Sequence, residues 1–206
     1  MPALETTFRH SETRPSLGHV NLMVDTFIAN ATPDDLRSIV RSLLATGPPG
    51  IVPAFTNAAR SRLRQTNAKF PPNPYSLFRR DTREAPAAPL PHLQDILTRA
   101  RSLYGAGLGF SSLTVLASIV RATTGLRWED DGDMADILAV IDADIVQAIQ
   151  SSKEEIEANR VVDFGLAREA RDNLRCAVQE SIRDVQSWGG EFPFERASAS
   201  IEYWKF

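Results

Sequence analysis

One cysteine, Cys176, and three histidines, His10, His19 and His92, are spread over 206 residues. A lone cysteine excludes an internal disulfide, and a chain without one fits a reducing compartment. Three scattered histidines supply neither a zinc ligand set nor a base in a known local arrangement with Cys176. Cys176 itself, beside Ala177 in a helical pattern, reads as a small packing residue. Membrane-spanning runs are also missing. The apolar stretch 113–120 is far shorter than the ~20 residues that cross a bilayer. The first twenty residues carry charges and turn formers without an apolar core, so no signal peptide is expected. These absences predict an intracellular protein, cytoplasmic or nuclear, with no membrane partner. The glycines at 105, 107 and 109 match neither the dinucleotide nor the Walker spacing, and a helix–helix turn explains them better than phosphate binding. No repeat of fixed period is present.

What the chain does have is helical periodicity. Apolar residues make up 43% and charged residues 24%, which are globular proportions. A chain of this length can bury a core without disulfides or metals. Met134, Ile137, Leu138, Ile141, Ile145, Ile149 and Ile156 recur three or four positions apart. The spacing resumes with Ala167, Ala170, Leu174, Val178, Ile182, Val185 and Trp188. Such stripes predict two long amphipathic helices over 133–188, with possible breaks at Ser152-x-x-Glu155, a capping-box pattern, and at 161–165.

Earlier helices follow from the same reasoning. A first helix is predicted from about His19 to Ala29. Thr32 then caps a second, with Pro33 at its first position and Asp34 and Asp35 at the positive end of its dipole. Leu36, Ile39, Val40, Leu43 and Leu44 form its stripe, and Gly47-Pro48-Pro49-Gly50 stops it. A third begins near Val52 and ends before Phe70. Six prolines between 70 and 91 rule out interior helix or central strand, leaving a long extended loop. A fourth helix fits 91–104, with Leu93, Ile96, Leu97, Ala100 and Leu103 inward. A fifth, capped by Ser111 or Ser112, is apolar nearly all round and belongs at the centre. The fold class is therefore all-α, an irregular bundle of six to seven helices with a proline-rich loop and a short extended C-terminal tail. Residues 1–18 are expected to be a flexible segment, 19–190 the helical domain and 191–206 an aromatic tail.

Charge is divided unevenly. Residues 1–125 hold 14 basic and 8 acidic side chains, and residues 126–206 hold 9 and 18. The halves face each other, are simply solvated, or meet charged partners. In the basic half, Arg60, Arg62 and Arg64 open a run of seven basic residues within 24 positions, and two short helices across Gly47–Gly50 could form a helix-turn-helix. Nucleic-acid binding through these three arginines is one reading, although a pI near 5.7 is low for such a module. In the acidic half, Asp130, Asp131 and Asp133 together with the Asp172 to Glu180 segment loosely resemble the paired Mg²⁺ motifs of class I terpene cyclases, which are also all-helical. Cys176 stands where that pattern has a hydroxyl. The resemblance would imply a small Mg²⁺-dependent enzyme; acids ahead of a helix also serve as caps and dipole partners. No catalytic residue, metal ligand or cofactor is assigned on this basis, and an enzyme is the less favoured reading.

The remaining reading is non-enzymatic: a helical protein–protein interaction module or a subunit of a larger assembly, with a protein partner or a second copy of itself. Tyr75 and Phe78 in the proline-rich loop, and Tyr203 and Trp204 in the tail, are the candidate partner-binding residues, being types that anchor interfaces. The same aromatics could equally pin loop and tail onto the bundle.

Overall fold

The computed structural model describes residues 22–67, 76–80 and 86–206. Among these residues there are eight helices and one two-stranded ribbon: α1 (Leu22–Asn30), α2 (Pro33–Thr46), α3 (Ile51–Asn67), β1 (Phe78–Arg79), β2 (Ala88–Pro89), α4 (Pro91–Gly105), α5 (Gly109–Ala122), α6 (Asp133–Glu157), α7 (Phe164–Trp188) and α8 (Glu195–Glu202). The all-α class holds. The chain divides into two compact units, Met1–Val52 and Pro53–Phe206.

In the first unit, α2 starts as the sequence dictates. The Thr32 hydroxyl accepts the Asp35 N–H at 3.1 Å, Pro33 follows the cap, and Gly47 ends the helix with its N–H on the Leu43 carbonyl. A positive φ of 107° at Gly50 turns the chain into α3, a geometry that disfavours any residue with a Cβ.

The second unit holds the core. Helix α5 lies at its centre, packed against α4, α6 and α7, as its all-round apolar surface requires. Leu113, Leu116, Ile119 and Val120 are fully enclosed. From α4 come the five residues that the spacing selects, Leu93, Ile96, Leu97, Ala100 and Leu103, all buried. Arg101 of α4 also reaches across to Asp144 of α6 through Nε and Nη2, at 3.0 and 2.8 Å, and the Tyr104 hydroxyl donates to the same carboxylate at 2.9 Å. Its own hydrogen bond to Asp144 raises the Arg101 pKa, while burial above all raises the Tyr104 phenol.

Helix α6 runs unbroken through Ser152, contrary to the capping-box reading. Ser152 is buried, and its hydroxyl bonds to the Ala148 carbonyl one turn back. Small size is what the position needs, because Gly109 packs directly on it. A Cβ on Gly109 would lie 2.3 Å from the Ser152 nitrogen. Helices α5 and α6 therefore meet backbone to backbone. Glu155 does cap a helix, but a different one: its Oε2 accepts the Phe110 N–H at 3.4 Å in the first turn of α5. The cap predicted at Ser111 or Ser112 is thus replaced by a carboxylate from α6, and Ser112 is buried within α5. The second predicted break is real. Helix α6 ends at Glu157, Asn159 adopts φ 52°, and Asp163 caps α7 by accepting the Gly165 and Leu166 N–H groups at 2.8 and 3.1 Å.

Two segments differ from expectation in detail. The described parts of the proline-rich loop form a minimal antiparallel ribbon, Phe78 opposite Pro89 and Arg79 opposite Ala88, with Leu77, Phe78 and Ala87 buried. The tail is not extended. Ala197 and Ile201 of α8 and Phe194 just ahead of it are buried, and Asp142 of α6 accepts the Ala197 N–H at 2.8 Å and the Arg196 Nε–H at 2.9 Å. A short helix is marginal alone; this one has a core-facing stripe and a borrowed cap.

Candidate functional site

The Gly-rich turn between α4 and α5 gathers charge that sequence distance conceals. Arg60 of α3 donates from Nε to the Ala106 carbonyl at 2.7 Å and from Nη1 to Asn57 Oδ1 at 3.1 Å. Gly107, at φ 75°, lets two guanidinium groups close over the turn. A Cβ there would stand 3.1 Å from Arg160 Nη2 and 3.4 Å from Arg60 Nη2. Arg64 lies one helical turn beyond Arg60. Burial lowers the Arg60 pKa, and the charges of Arg160 and Arg64 lower it further. Glu155 stands near all three, its own pKa raised chiefly by burial and held back by the Phe110 and Gly109 N–H groups.

Two adjoining cavities open at this place. One, of about 520 Å³, is lined by Asn57, Arg60, Ser61, Arg64, Gln65, Arg160 and Val162 and has no carboxylate in its wall. The other, of about 470 Å³, shares Arg64, Arg160 and Val162 and continues between α5 and α7 past Phe110, Val161, Leu166, Ala170 and Asn173. Arg160 Nε is buried and has no hydrogen-bond partner.

The arginines singled out by sequence therefore separate. Arg60 turns into the α4–α5 turn, Arg62 is exposed, and Arg64 lies with Arg60 at the cleft. Arg160, about a hundred positions away, was invisible to any reading of local spacing.

Other candidates are distributed differently. Phe78 is 5% exposed and belongs to the core; Tyr75 lies outside the described residues. Trp204 is also 5% exposed and stacks on Phe110 with ring centroids 5.8 Å apart, while Phe206 packs on both rings. Arg171 holds the tail's end, its guanidinium over the Phe206 ring and its Nη1 bonded to the Phe206 carbonyl. Tyr203 alone of the tail pair points outward, 81% exposed.

The acidic run 129–136 is exposed except for Met134 and Ala135, and Asp133 and Asp136 occupy the first turn of α6. Asp172 pairs with Arg171 and Glu180 with Arg121. Among the described residues no three His, Cys, Asp or Glu side chains gather as a metal ligand set, and Cys176 is exposed. His92 sits 3.7 Å from Asp95 on the exposed side of α4, and His10 and His19 lie outside the described residues.

In the first unit the apolar stripe predicted for α2 is only partly covered, with Leu36, Val40 and Leu44 half-buried. No residue of α2 is buried; Ile39 and Leu43 are 46% and 50% exposed. On α1, Val24, Phe27 and Ile28 are about as open. Among the described residues no helix is long and apolar enough to cross a membrane. Compared with known protein families, characterised proteins and solved structures, the chain matches none.

Proposed function

We propose that this chain is a non-enzymatic protein-interaction module that docks through α1 and α2, a second copy of itself being the partner that its chemistry suits best. One observation carries the reading: α2 has a complete apolar stripe, Leu36, Ile39, Val40, Leu43 and Leu44, of which none is fully buried, three are half-buried, and Ile39 and Leu43 are about half-exposed. A 14-residue helix is marginal in water on propensity alone, so its stripe needs a cover. An interfacial membrane helix would carry a Lys/Arg-rich polar face. Here α1 and α2 present Asp25, Asp34 and Asp35 against Arg37 and Arg41, which favours protein.

Self-docking is favoured by the order of those charges. The acids lie in the first turn of α2 and the arginines follow. Laid antiparallel about a two-fold axis, the stripe meets its own copy, and the acidic end of one helix runs toward the basic half of the other.

Sedimentation of the full chain over a concentration series tests this. The expected result is a species of twice 22.8 kDa. Leu43→Asp combined with Ile39→Asp should return it to the single-chain mass, with helical circular dichroism retained. A single-chain mass at every concentration for the unaltered protein overturns self-docking.

A further inference from the structure

We infer that the cleft bounded by Arg60, Arg64 and Arg160 binds the phosphate group of a small organic phosphomonoester. This site is in the second unit and does not depend on the α1–α2 reading.

Arg60, Arg64 and Arg160 line one cleft beside the Gly105–Gly109 turn whose wall has no carboxylate, and Glu155 in the adjoining cavity offsets them in part. Burial first, and then the like charges of Arg160 and Arg64, depress the Arg60 pKa, and an anion between the three groups relieves the opposition. Among the described residues neither Arg64 nor Arg160 forms an ion pair within 4.0 Å, so their forks are open to a ligand. Arg160 adds a buried Nε without an acceptor, an unsatisfied donor on a side chain that lines both cavities. Ser61, Gln65 and Asn57 add neutral polar groups to the same wall.

Arginine is the side chain whose planar fork matches phosphate oxygens two at a time. Arg60 is already braced by the Ala106 carbonyl and Asn57. It therefore presents its guanidinium with little left to order on binding. A chloride or a lone carboxylate would offer fewer acceptors to three donors.

The adjoining cavity explains why an ester is assigned and not the bare ion. It leads directly from Arg64 and Arg160 into a space walled by Phe110, Val161, Val162, Leu166, Ala167 and Ala170. Val162 is 93% exposed and Leu166 is also open, an uncommon placement for such side chains beside a charged cluster. An organic body entering there covers them, with Ser111, Thr114 and Asn173 available to its polar groups. That cavity also carries Glu155, Asp163 and Glu169 in its wall, whereas the three-arginine wall has no carboxylate, and Asp163 is engaged as the α7 cap.

The test is a thermal-shift and calorimetric titration of the full chain with inorganic phosphate, with a nucleoside monophosphate and with phenyl phosphate, against sodium chloride at matched ionic strength. The expected result is a saturable rise in the unfolding midpoint with the esters, which bind about tenfold or more tightly than inorganic phosphate. Arg64→Gln and Arg160→Gln should each weaken ester binding by about tenfold or more, while Arg62→Gln, outside the cleft, leaves it unchanged. Arg64 is on the surface of α3, so its variant keeps the fold even if Arg160→Gln does not. No response beyond matched chloride overturns the site, as does a response indifferent to both substitutions. Equal binding of inorganic phosphate and the esters overturns the ester assignment. Binding of a single-stranded oligonucleotide with no response to the monophosphates overturns the small-molecule assignment.

Discussion

Glu155 links three parts of the second unit through one carboxylate. It sits inside the bundle, caps α5 from α6 and faces three arginines. Burial outweighs these attractions, so its pKa lies above the ordinary carboxylate range in the folded chain. The folded state then holds this proton to higher pH than the unfolded state does. Between the two pKa values the native protein binds more protons, so this group's contribution to stability falls as pH rises. Above the folded pKa the cost is complete and constant. Glu155→Gln keeps an acceptor for the Phe110 N–H and removes the titration. Urea midpoints measured across the acidic range should therefore show the Gln variant gaining on the unaltered chain as pH rises, then running parallel to it. A constant gap between them at all pH values would mean that Glu155 does not titrate abnormally. The sequence displayed this residue and misdirected its role. Ser152-x-x-Glu155 is a capping pattern, and Glu155 does cap, but the helix it serves begins at Gly109, over forty positions earlier. Spacing along one helix carries no information about a neighbour that packs across it, and Arg160 escaped notice for the same reason.

Elements with continuous periodicity were legible, and those whose stability is borrowed were not. Helix α4 buries the five side chains that its spacing names. The start of α2 follows from Thr32 and Pro33, and its end from Gly47. Helix α8 is different, because eight residues give a weak pattern and its cap comes from Asp142 on α6. Asp142→Ala would leave the Ala197 N–H without its acceptor and Arg196 without its carboxylate. A buried donor left unsatisfied costs about 1–3 kcal/mol. Chemical denaturation should report a loss of that size. Hydrogen exchange should quicken selectively over 195–202, where Phe194, Ala197 and Ile201 attach the helix to the core. Unchanged exchange in α8 would mean that its apolar face alone holds it. The aromatic tail suits either an interface or packing on the bundle. Trp204 packs on Phe110 and Phe206 and Tyr203 remains open, so one dipeptide contains both outcomes.

At the scale of the chain, burial is concentrated in one unit. Among the described residues every member of the hydrophobic core lies at or beyond Leu77, and α2 contributes no fully buried residue. Composition could not reveal this division, because α2 and α4 carry stripes of the same kind and only the fold decides which stripe finds a cover. A folded unit that retains its whole core should retain its stability. A chain lacking residues 1–50, cut at the Gly50 turn before α3, is thus expected to unfold in urea within about 0.5 kcal/mol of the full chain. It should keep its response to phosphomonoesters, since Arg60, Arg64 and Arg160 remain, and sediment as a single chain, since α1 and α2 are gone. The three readouts separate the two proposals. Loss of self-association with phosphate binding intact is the expected outcome. If the shortened chain loses several kcal/mol, the first 50 residues support the core and the stripe of α2 is not a free docking face. If it still pairs, the interface lies elsewhere, and the exposed Tyr203 beside the packed Trp204 becomes the next surface to alter.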